Sequence, residues 1–557
     1  MNLQNTQWYK MDKPQAYIKI HSDDNVGVAL QNLKAGSTIL MDGTTFILPQ
    51  DVQAKHKFTL FSISKGQTLK MYGIVVGTAE VDLPQGAAIT VHNVAHTTSP
   101  FTGRQPVTHW VKPDVSHWQN ATFKGYYRKD GSVGTANYWL VFPLVFCENK
   151  NIEIIKEAIS DALGYNKYHK YKAFAKKHLN HILNLSSIEN ISSPQTGSFL
   201  DRPFKNVDGV KFITHQMGCG GTRQDAQTLC GLLAGYLTNP NVAGATVLSL
   251  GCQNAQYEIL RNELSARDSH FDKPLYYFDQ QTLGTEDLLI EEAIVSTLYG
   301  MALANENQRK EALLSKLVIG LECGGSDGFS GISANPTVGY VSDMVVTLGG
   351  TAVLAEFPEL CGVEQELCNR CVTDELADKF LDLMHRYEKS AIRVGSGFDM
   401  NPSPGNIKDG LITDAMKSAG AAKKGGTSPI TDVLDYPQKV TKAGLNLLNT
   451  PGNDVESTTA LAGRGCNIIL FTTGLGTPTG NPVVPVIKIS SNSALTQRMS
   501  DIIDFNAGTV IEGKLGIADA ADQLLSYIIA VASGEIQAKA TINEQNDFIP
   551  WKRGVSL

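Results

Sequence analysis

Cys219, Cys252 and Cys323 each end an apolar run and each touch glycine, in "QMGCGGT", "SLGCQ" and "LECGGSDGFSGISANP". Thiolates delivered by separate strand ends can converge on one metal. They lie too far apart in sequence for a zinc ribbon, and the rival reading is that they are small buried hydrophobes, the usual fate of cysteine. Histidine supplies a second constellation. "KIHSDDN" and "TVHNVAH" place His21 beside Asp24 and Asn25, and His92 beside Asn93, at the ends of short strands. Such groups can ligate a metal or carry protons. His215 closes a third strand-like run just ahead of Cys219.

The loop after Leu321 is too polar for a core and too rich in glycine for a helix, so it reads as backbone that approaches a ligand closely. Other polar segments occupy equivalent places after apolar runs: "AEFPE", "NTPGND" and "FTTGLGTPTGNP". In an open parallel sheet, ligands bind beyond the carboxyl ends of the strands, and that is where these groups would gather. "AKKGGTSPI", with Lys424, resembles a cradle of backbone N–H groups for a carboxylate or phosphate. It lacks the order of a P-loop, which argues against a nucleotide enzyme.

The elements that must position these residues fall into three groups. Residues 16 to 98 alternate in short strand-like pieces separated by Gly, Asp and Pro, as in a small all-β module. A proline-bearing linker follows, expected to pack on its neighbours through Trp110 and Trp118. Beyond it, strands at 207–215, 243–252, 274–279, 316–323 and 351–357 alternate with helices such as 152–163 and 284–304. Near-continuous apolar strands alternating with helices predict parallel sheets covered on both faces. After a helix at 374–389 and a Gly/Pro/Ser-rich crossing at 395–429, "GLNLLNTP", "CNIILFTTG" and "VPVIKISS" predict a second such unit. The expected division is 1–98 for the β module, 99–122 for the linker, 123–390 for a central α/β domain and 391–557 for a C-terminal one. Residues 164–206 read as a polar insertion.

Length and composition set the outer limits. A chain of 557 residues with 42% apolar and 18% charged residues is an ordinary multidomain globular protein. Its net charge of -7, without a long basic run, argues against nucleic acid or an anionic membrane as partner. The densest basic stretch, "KYHKYKAFAKKH", reads as a solvated helix face. No window approaches the roughly 20 apolar residues needed to span a bilayer, and the first residues have no apolar signal segment. Nine cysteines, an odd number, fit reduced thiols and a cytoplasmic location better than a disulfide framework.

Taken in order, "YIKIHSDDNVGVAL", "GYYRKDGSVGTANY", "GCGGT", "ECGGSDGFSGISANPTVGYVSD", "NPSPGN", "KGGTSPITDVLDY", "TPGND", "FTTGLGTPTG", "PVIKISSNS" and "DFIPWKRG" cover nearly the whole chain. In these strings the sequence resembles the sugar-acid dehydratase family of altronate and galactarate dehydratases and sulfolactate sulfo-lyase. The resemblance implies an N-terminal SAF-type β-clip domain and an iron(II)-stimulated dehydration of a hexonate to a 2-keto-3-deoxy acid. "VHN" at 91–93 resembles the aldonate branch, which favours altronate over a diacid. Two positions depart from the family pattern: Gln253 stands where Glu usually follows "LGC", and Leu475 where "TTGRG" has Arg.

Chemistry then assigns expected roles. Taking the proton α to a carboxylate requires that the enediolate be stabilised, and the β-hydroxyl leaves only when protonated or metal-bound. His21, His215 and Asp24 are the expected proton carriers. Cys219, Cys252 and Cys323 are the expected ligands of Fe2+, with Mn2+ as the second metal, and a [4Fe-4S] cluster on the same cysteines is the alternative. Asn25, His92, Ser326, Asp327, Asn335, Asn406 and Thr473 are expected to hold the polyol. The expected partner is a small sugar acid, with self-association into a homo-oligomer. A sugar-acid binding protein is the non-enzymatic alternative.

Overall fold

Turn chemistry shapes the first module. The computed structural model describes residues 15–165, 169–183 and 202–556. Asp42-Gly43 and Tyr72-Gly73 all adopt positive φ, the requirement of tight hairpins, and they join Thr38–Met41 to Thr44–Ile47 and Thr68–Met71 to Ile74–Ala79. Tyr17–Ile18, Val26–Ala29 and Lys57–Thr59 form a third small antiparallel sheet. Phe58, Ile39, Leu48 and Val52 fill the interior of this all-β module. The linker then runs without regular structure apart from one turn at Ser116–Trp118. It packs as expected: Trp110 donates to Thr427 (3.1 Å) and Trp118 to Asp522 (2.7 Å).

The next layer is a four-stranded parallel sheet in the order Gly209–Phe212, Tyr138–Pro143, Val242–Ser249, Leu275–Asp279. The buried run Tyr138–Pro143 holds its centre, a strand not foreseen from the sequence. Helices Asn149–Ala162, Arg223–Thr238 and Glu286–Ala304 cover the faces. In the expected insertion at 164–206, His169–Ile182 forms a helix, and residues 166–168 and 184–201 lie outside the described residues.

The third layer corrects the expected division at residue 390. A single seven-stranded parallel sheet runs in the order Ile430–Leu434, Gly444–Leu448, Thr351–Leu354, Val318–Cys323, Ile468–Thr473, Val486–Ser490, Phe505–Asn506. Val318–Cys323 pairs with Ile468–Thr473, and Thr351–Leu354 pairs with Gly444–Leu448. Strands from both sides of residue 390 therefore share one hydrogen-bonded ladder, and no boundary can pass between them. The polar crossing is an excursion from that sheet, carrying helices Pro404–Lys408 and Asp414–Ala421 over its carboxyl end. The fold class stands as expected: a small all-β module followed by α/β layers with parallel sheets.

Candidate active site

At the centre of the seven-stranded sheet, Val318–Cys323 carries Glu322 and Cys323 to its carboxyl end. The adjacent strand, Thr351–Leu354, is followed by Glu356 and Glu359. Glu356 is a non-glycine residue at φ 68, a conformation that costs on the order of 1–3 kcal/mol. Its N–H is anchored on the Thr450 hydroxyl (2.9 Å), so the strained turn is held and the carboxylate faces inward. Glu322, Cys323, Glu356, Glu359 and Lys424 are all at most 2% exposed.

Lys424 donates to Glu356 (2.7 Å) and touches the Cys323 sulfur. The Cys323 thiol also donates to Glu359 (3.1 Å), whose other oxygen pairs with Lys417 (2.6 Å). Ser457 donates to Glu322. Asp454 opens the helix Asp454–Gly463, and its carboxylate completes a triad with Glu322 and Glu356 in which the ligand oxygens lie within 4.8 Å of one another. Cys323, Glu356 and Glu359 form a second such group.

The glycines of the 324–328 loop mark where other parts of the chain come close. A Cβ on Gly324 would stand 2.0 Å from an Asp454 oxygen, and one on Gly328 would stand 2.3 Å from the Lys55 carbonyl. Lys55 belongs to the β module, which therefore docks on the sheet end. Its ammonium reaches Asp327 (3.0 Å) and Asp409 (2.6 Å), Lys57 donates to Gly410, and Val76 accepts from Thr413 (2.6 Å).

Burial sets the protonation pattern. It pushes Glu322 well above the ordinary carboxylate range, an effect enlarged by Glu356. Burial also raises Asp454, to about 7, with Glu356 and Glu359 adding to the rise. Glu359 is buried too, yet Lys417 and Lys424 hold it below its ordinary value. Lys488 enters from strand Val486–Ser490 and is driven down to about 7 by burial, against the pull of Asp454 and Glu322. Its Nζ lies 3.2 Å from the centre of the Phe471 ring and has no hydrogen-bond partner.

The donor set fits a divalent cation. Glu322 Oε1 and Glu356 Oε1 are buried without partners, a costly arrangement that a metal ion would relieve. When ionised, the four carboxylates outnumber Lys417 and Lys424 by two charges, the charge of Fe2+ or Mn2+. The Glu322–Glu356–Asp454 triad offers such an ion oxygen alone, which suits Mn2+ and the borderline Fe2+. The Cys323 group is already neutralised by its two lysines.

A cavity of about 740 Å³ adjoins the cluster, lined by Pro358, Asn401, Gly452, Asn453, Trp551 and Arg553 among others. Pro358 and Asn453 of its lining are the chain neighbours of Glu359 and Asp454, and the carboxylates themselves stand behind that wall. This volume lies within the range of small-ligand sites.

The structure separates several residues that the sequence grouped. Cys323 is buried in the seven-stranded sheet, while Cys219 and Cys252 are exposed at the end of the four-stranded one, so the three do not form one ligand set. His215 is not poised to carry protons. It is buried, its Nε2 bonds to the Pro143 carbonyl (2.8 Å), its Nδ1 accepts from Met217 N–H (3.1 Å), and burial lowers it to about 4. Asp24 serves a turn, accepting the N–H groups of His21 (2.9 Å), Tyr72 (3.1 Å) and Gly73 (2.8 Å). Asn25 clasps Thr68 and Lys70. The His21 ring accepts from Asp23 N–H, and His92 is exposed on a turn.

The other residues expected to bind substrate lie around the glycine loop with partners inside the protein. Asp327 takes Lys55, Ser330 and Ser491; Asn406 donates to Ser326 O; Asn335 accepts from Thr472; and Thr473 accepts from Gly476 N–H. Sequence reasoning reached Lys424 and the strings that hold Glu322, Glu356, Glu359, Asp454 and Lys488, and it singled out none of these five side chains. A lone lysine inside the apolar run "VPVIKIS" was the available signal.

Comparison with known proteins agrees with this architecture. Residues 15–97 match the altronate/galactarate dehydratase SAF domain, and 125–303 match the second domain of D-galactarate dehydratase/altronate hydrolase. Residues 314–556 match the C-terminal domain of D-galactarate/altronate dehydratase, so the junction falls between 303 and 314. The chain is 34% identical over 545 residues to an altronate dehydratase of Bacillus subtilis, spanning 97% of this chain and 100% of the relative. It is also 34% identical over 551 residues to an altronate dehydratase of Escherichia coli, with 97% and 100% covered. A galactarate dehydratase (L-threo-forming) of Escherichia coli is 31% identical over 535 residues, with 95% and 94% covered.

Proposed function

The chain belongs to the D-galactarate/altronate dehydratase family, and on that premise we propose that it dehydrates D-altronate to 2-dehydro-3-deoxy-D-gluconate. The observation that carries this reading is the buried cluster of four carboxylates and three lysines at one sheet end, beside a cavity of about 740 Å³. It offers the two things the elimination needs: a proton acceptor, and fixed positive charge for the enediolate.

Glu322, Glu356 and Asp454 are the residues that would hold Fe2+ or Mn2+. When bound, the ion supplies Lewis-acid polarisation of the substrate carboxylate and hydroxyl. Lys488, driven toward its neutral form by burial, takes the proton from C2. Lys424 supplies positive charge where the enediolate forms, and Lys417 keeps Glu359 ionised beside the cavity. The β module docks on the glycine loop through Lys55 and closes that side of the sheet end to water, which strengthens each of these interactions.

Galactarate is the second substrate, favoured by the 31% identity to a galactarate dehydratase. Purified protein with ferrous iron and reductant, offered a panel of hexonates and hexarates, should form a 2-keto-3-deoxy acid fastest from D-altronate. Product from galactarate alone would move the assignment, and no keto acid from any member would refute dehydration.

The cytoplasm is the proposed compartment, supported by nine cysteines without a disulfide. Among the described residues, no helix is long and apolar enough to cross a membrane. Self-association is supported by helix Glu286–Ala304, which exposes Leu288, Val295, Tyr299 and Leu303. Light scattering of the native protein tests it.

A further inference from the structure

The nine cysteines divide by exposure. Six are buried or half-buried, and the three that face solvent, Cys147, Cys219 and Cys252, share one location. They follow Tyr138–Pro143, Gly209–Phe212 and Val242–Ser249, three neighbouring strands of the four-stranded sheet, and all sit at its carboxyl end. Exposure is unusual for cysteine, and three exposed thiols at one sheet end call for a physical reason.

Their loops are tied to one another. Leu144 N–H donates to Leu248 O (2.8 Å), Phe146 N–H to Met217 O (3.1 Å) and Ala255 N–H to Gly218 O (3.0 Å). Gly218 is packed so closely that a Cβ would stand 2.2 Å from the Leu144 carbonyl. His215 fixes the start of the middle loop through both ring nitrogens. Gly218 and Gly220, either side of Cys219, and Gly251, before Cys252, all take positive φ. Such turns present backbone N–H groups in the concavities that surround anions and iron–sulfur clusters.

The spacing distinguishes the possible guests. The three sulfurs do not all lie within 4.8 Å of one another. A single tetrahedral zinc, with bonds of about 2.3 Å, draws its sulfurs to about 3.8 Å. In an iron–sulfur cube each cysteine binds a different iron, so its sulfurs stand wider apart. We propose that Cys147, Cys219 and Cys252 hold a [4Fe-4S] cluster whose fourth iron has no cysteine ligand, at a site separate from the carboxylate cluster. The six remaining cysteines are buried or half-buried, and Cys323 is committed to Lys424 and Glu359.

The inference does not depend on the proposed dehydration, and its test reads metal, not turnover. The full chain is purified without oxygen and reconstituted with ferrous iron, sulfide and thiol. It should gain broad visible absorption that dithionite bleaches, and four acid-labile sulfides per chain with four irons beyond the one the carboxylates would hold. Cys147→Ser, Cys219→Ser and Cys252→Ser should each lower cluster content at least fivefold, while Cys323→Ser keeps it. Reconstitution should also protect those three thiols of the wild-type chain from alkylation, as read by mass spectrometry, which holds even where a variant folds poorly. Sulfide-free binding of one ion that protects Cys147, Cys219 and Cys252 from alkylation, absence of a chromophore in folded wild-type protein, or equal loss in Cys323→Ser would overturn the proposal.

Discussion

A lysine set in an apolar strand, with its nitrogen against a phenyl ring and no acceptor in reach, is pressed toward the neutral amine. Lys488 is in that position, and its folded pKa of about 7 lies below its ordinary 10.5. Between those values the unfolded chain binds the extra proton, so this group makes stability rise with pH, by up to roughly 1.4 kcal/mol per unit. Lys488→Met should remove that part of the slope, read as the difference between variant and wild-type denaturation curves from pH 7 to 10. The same variant should lose turnover by roughly a hundredfold or more, the usual cost of a positioned proton carrier. Wild-type turnover should climb as pH rises through about 7, where the amine becomes the major form. An active Lys488→Met enzyme would send the search for the base elsewhere. Glu356 is tested differently, because its carboxylate belongs to both candidate ligand groups. Glu356→Gln preserves the shape and should lower iron affinity and turnover together, at least tenfold each. Iron titration by calorimetry beside the keto-acid assay separates this from a purely structural effect, which would move only the melting curve.

The glycine loop after Val318–Cys323 shows why some elements were legible in the sequence and others were not. Its composition announced a close approach, and Gly324 and Gly328 are indeed crowded by Asp454 and by the Lys55 carbonyl. Composition could not say what approaches, because Asp454 and Lys55 lie more than a hundred residues away on either side. Strands with uninterrupted apolar runs, such as Ile468–Thr473, were visible by their length, their β-branched residues and the glycines that follow. Tyr138–Pro143 was missed because the proline-bearing stretch before it masked a buried central strand. The histidines misled for a local reason: turn residues such as Asp24 and Asn25 look catalytic in sequence, while their side chains bind neighbouring backbone. Partnerships among Glu322, Glu356 and Asp454 arise only when parallel strands align, a fact no local pattern carries. Gly328→Ala tests the loop as an element. Its Cβ would collide with Lys55, so the module must shift, at about 1–3 kcal/mol. Amide exchange at residues 55–57 should accelerate and turnover should fall at least fivefold. Gly221→Ala, where nothing lies nearer than 3.9 Å, should leave stability within about 0.5 kcal/mol.

Two parallel sheets, each with chemistry at its carboxyl end, must keep a fixed relation if the molecule is to work as one body. Helices Arg223–Thr238 and Asp454–Gly463 touch backbone to backbone: a Cβ on Gly235 would stand 2.0 Å from the Gly463 carbonyl. The first helix starts just after Cys219 and the second starts at Asp454, so one contact joins the helices that follow both sites. The last residues then bind across the junction. Phe548 packs on Tyr236 at 5.2 Å, and Trp551 lies 5.6 Å from both Tyr387 and Tyr436. Arg553 stacks on Trp551 at 4.0 Å and pairs with Asp435 (2.6 Å), while the Arg553 and Gly554 N–H groups reach Asp225 at the foot of the first helix. Trp551 also lines the cavity beside the carboxylates. It is only partly buried, so Trp551→Ala should cost about 2–3 kcal/mol, below the 3–5 of a fully buried tryptophan. If the proposed sugar acid occupies this cavity, loss of its wall should raise KM more than it lowers kcat, because Trp551 lines the cavity away from the carboxylates. A melting curve and a saturation curve on the same preparation decide it. An unchanged melting temperature would release the tail from its role as a clasp, and a collapsed kcat with normal KM would place Trp551 nearer the chemistry than the fold does.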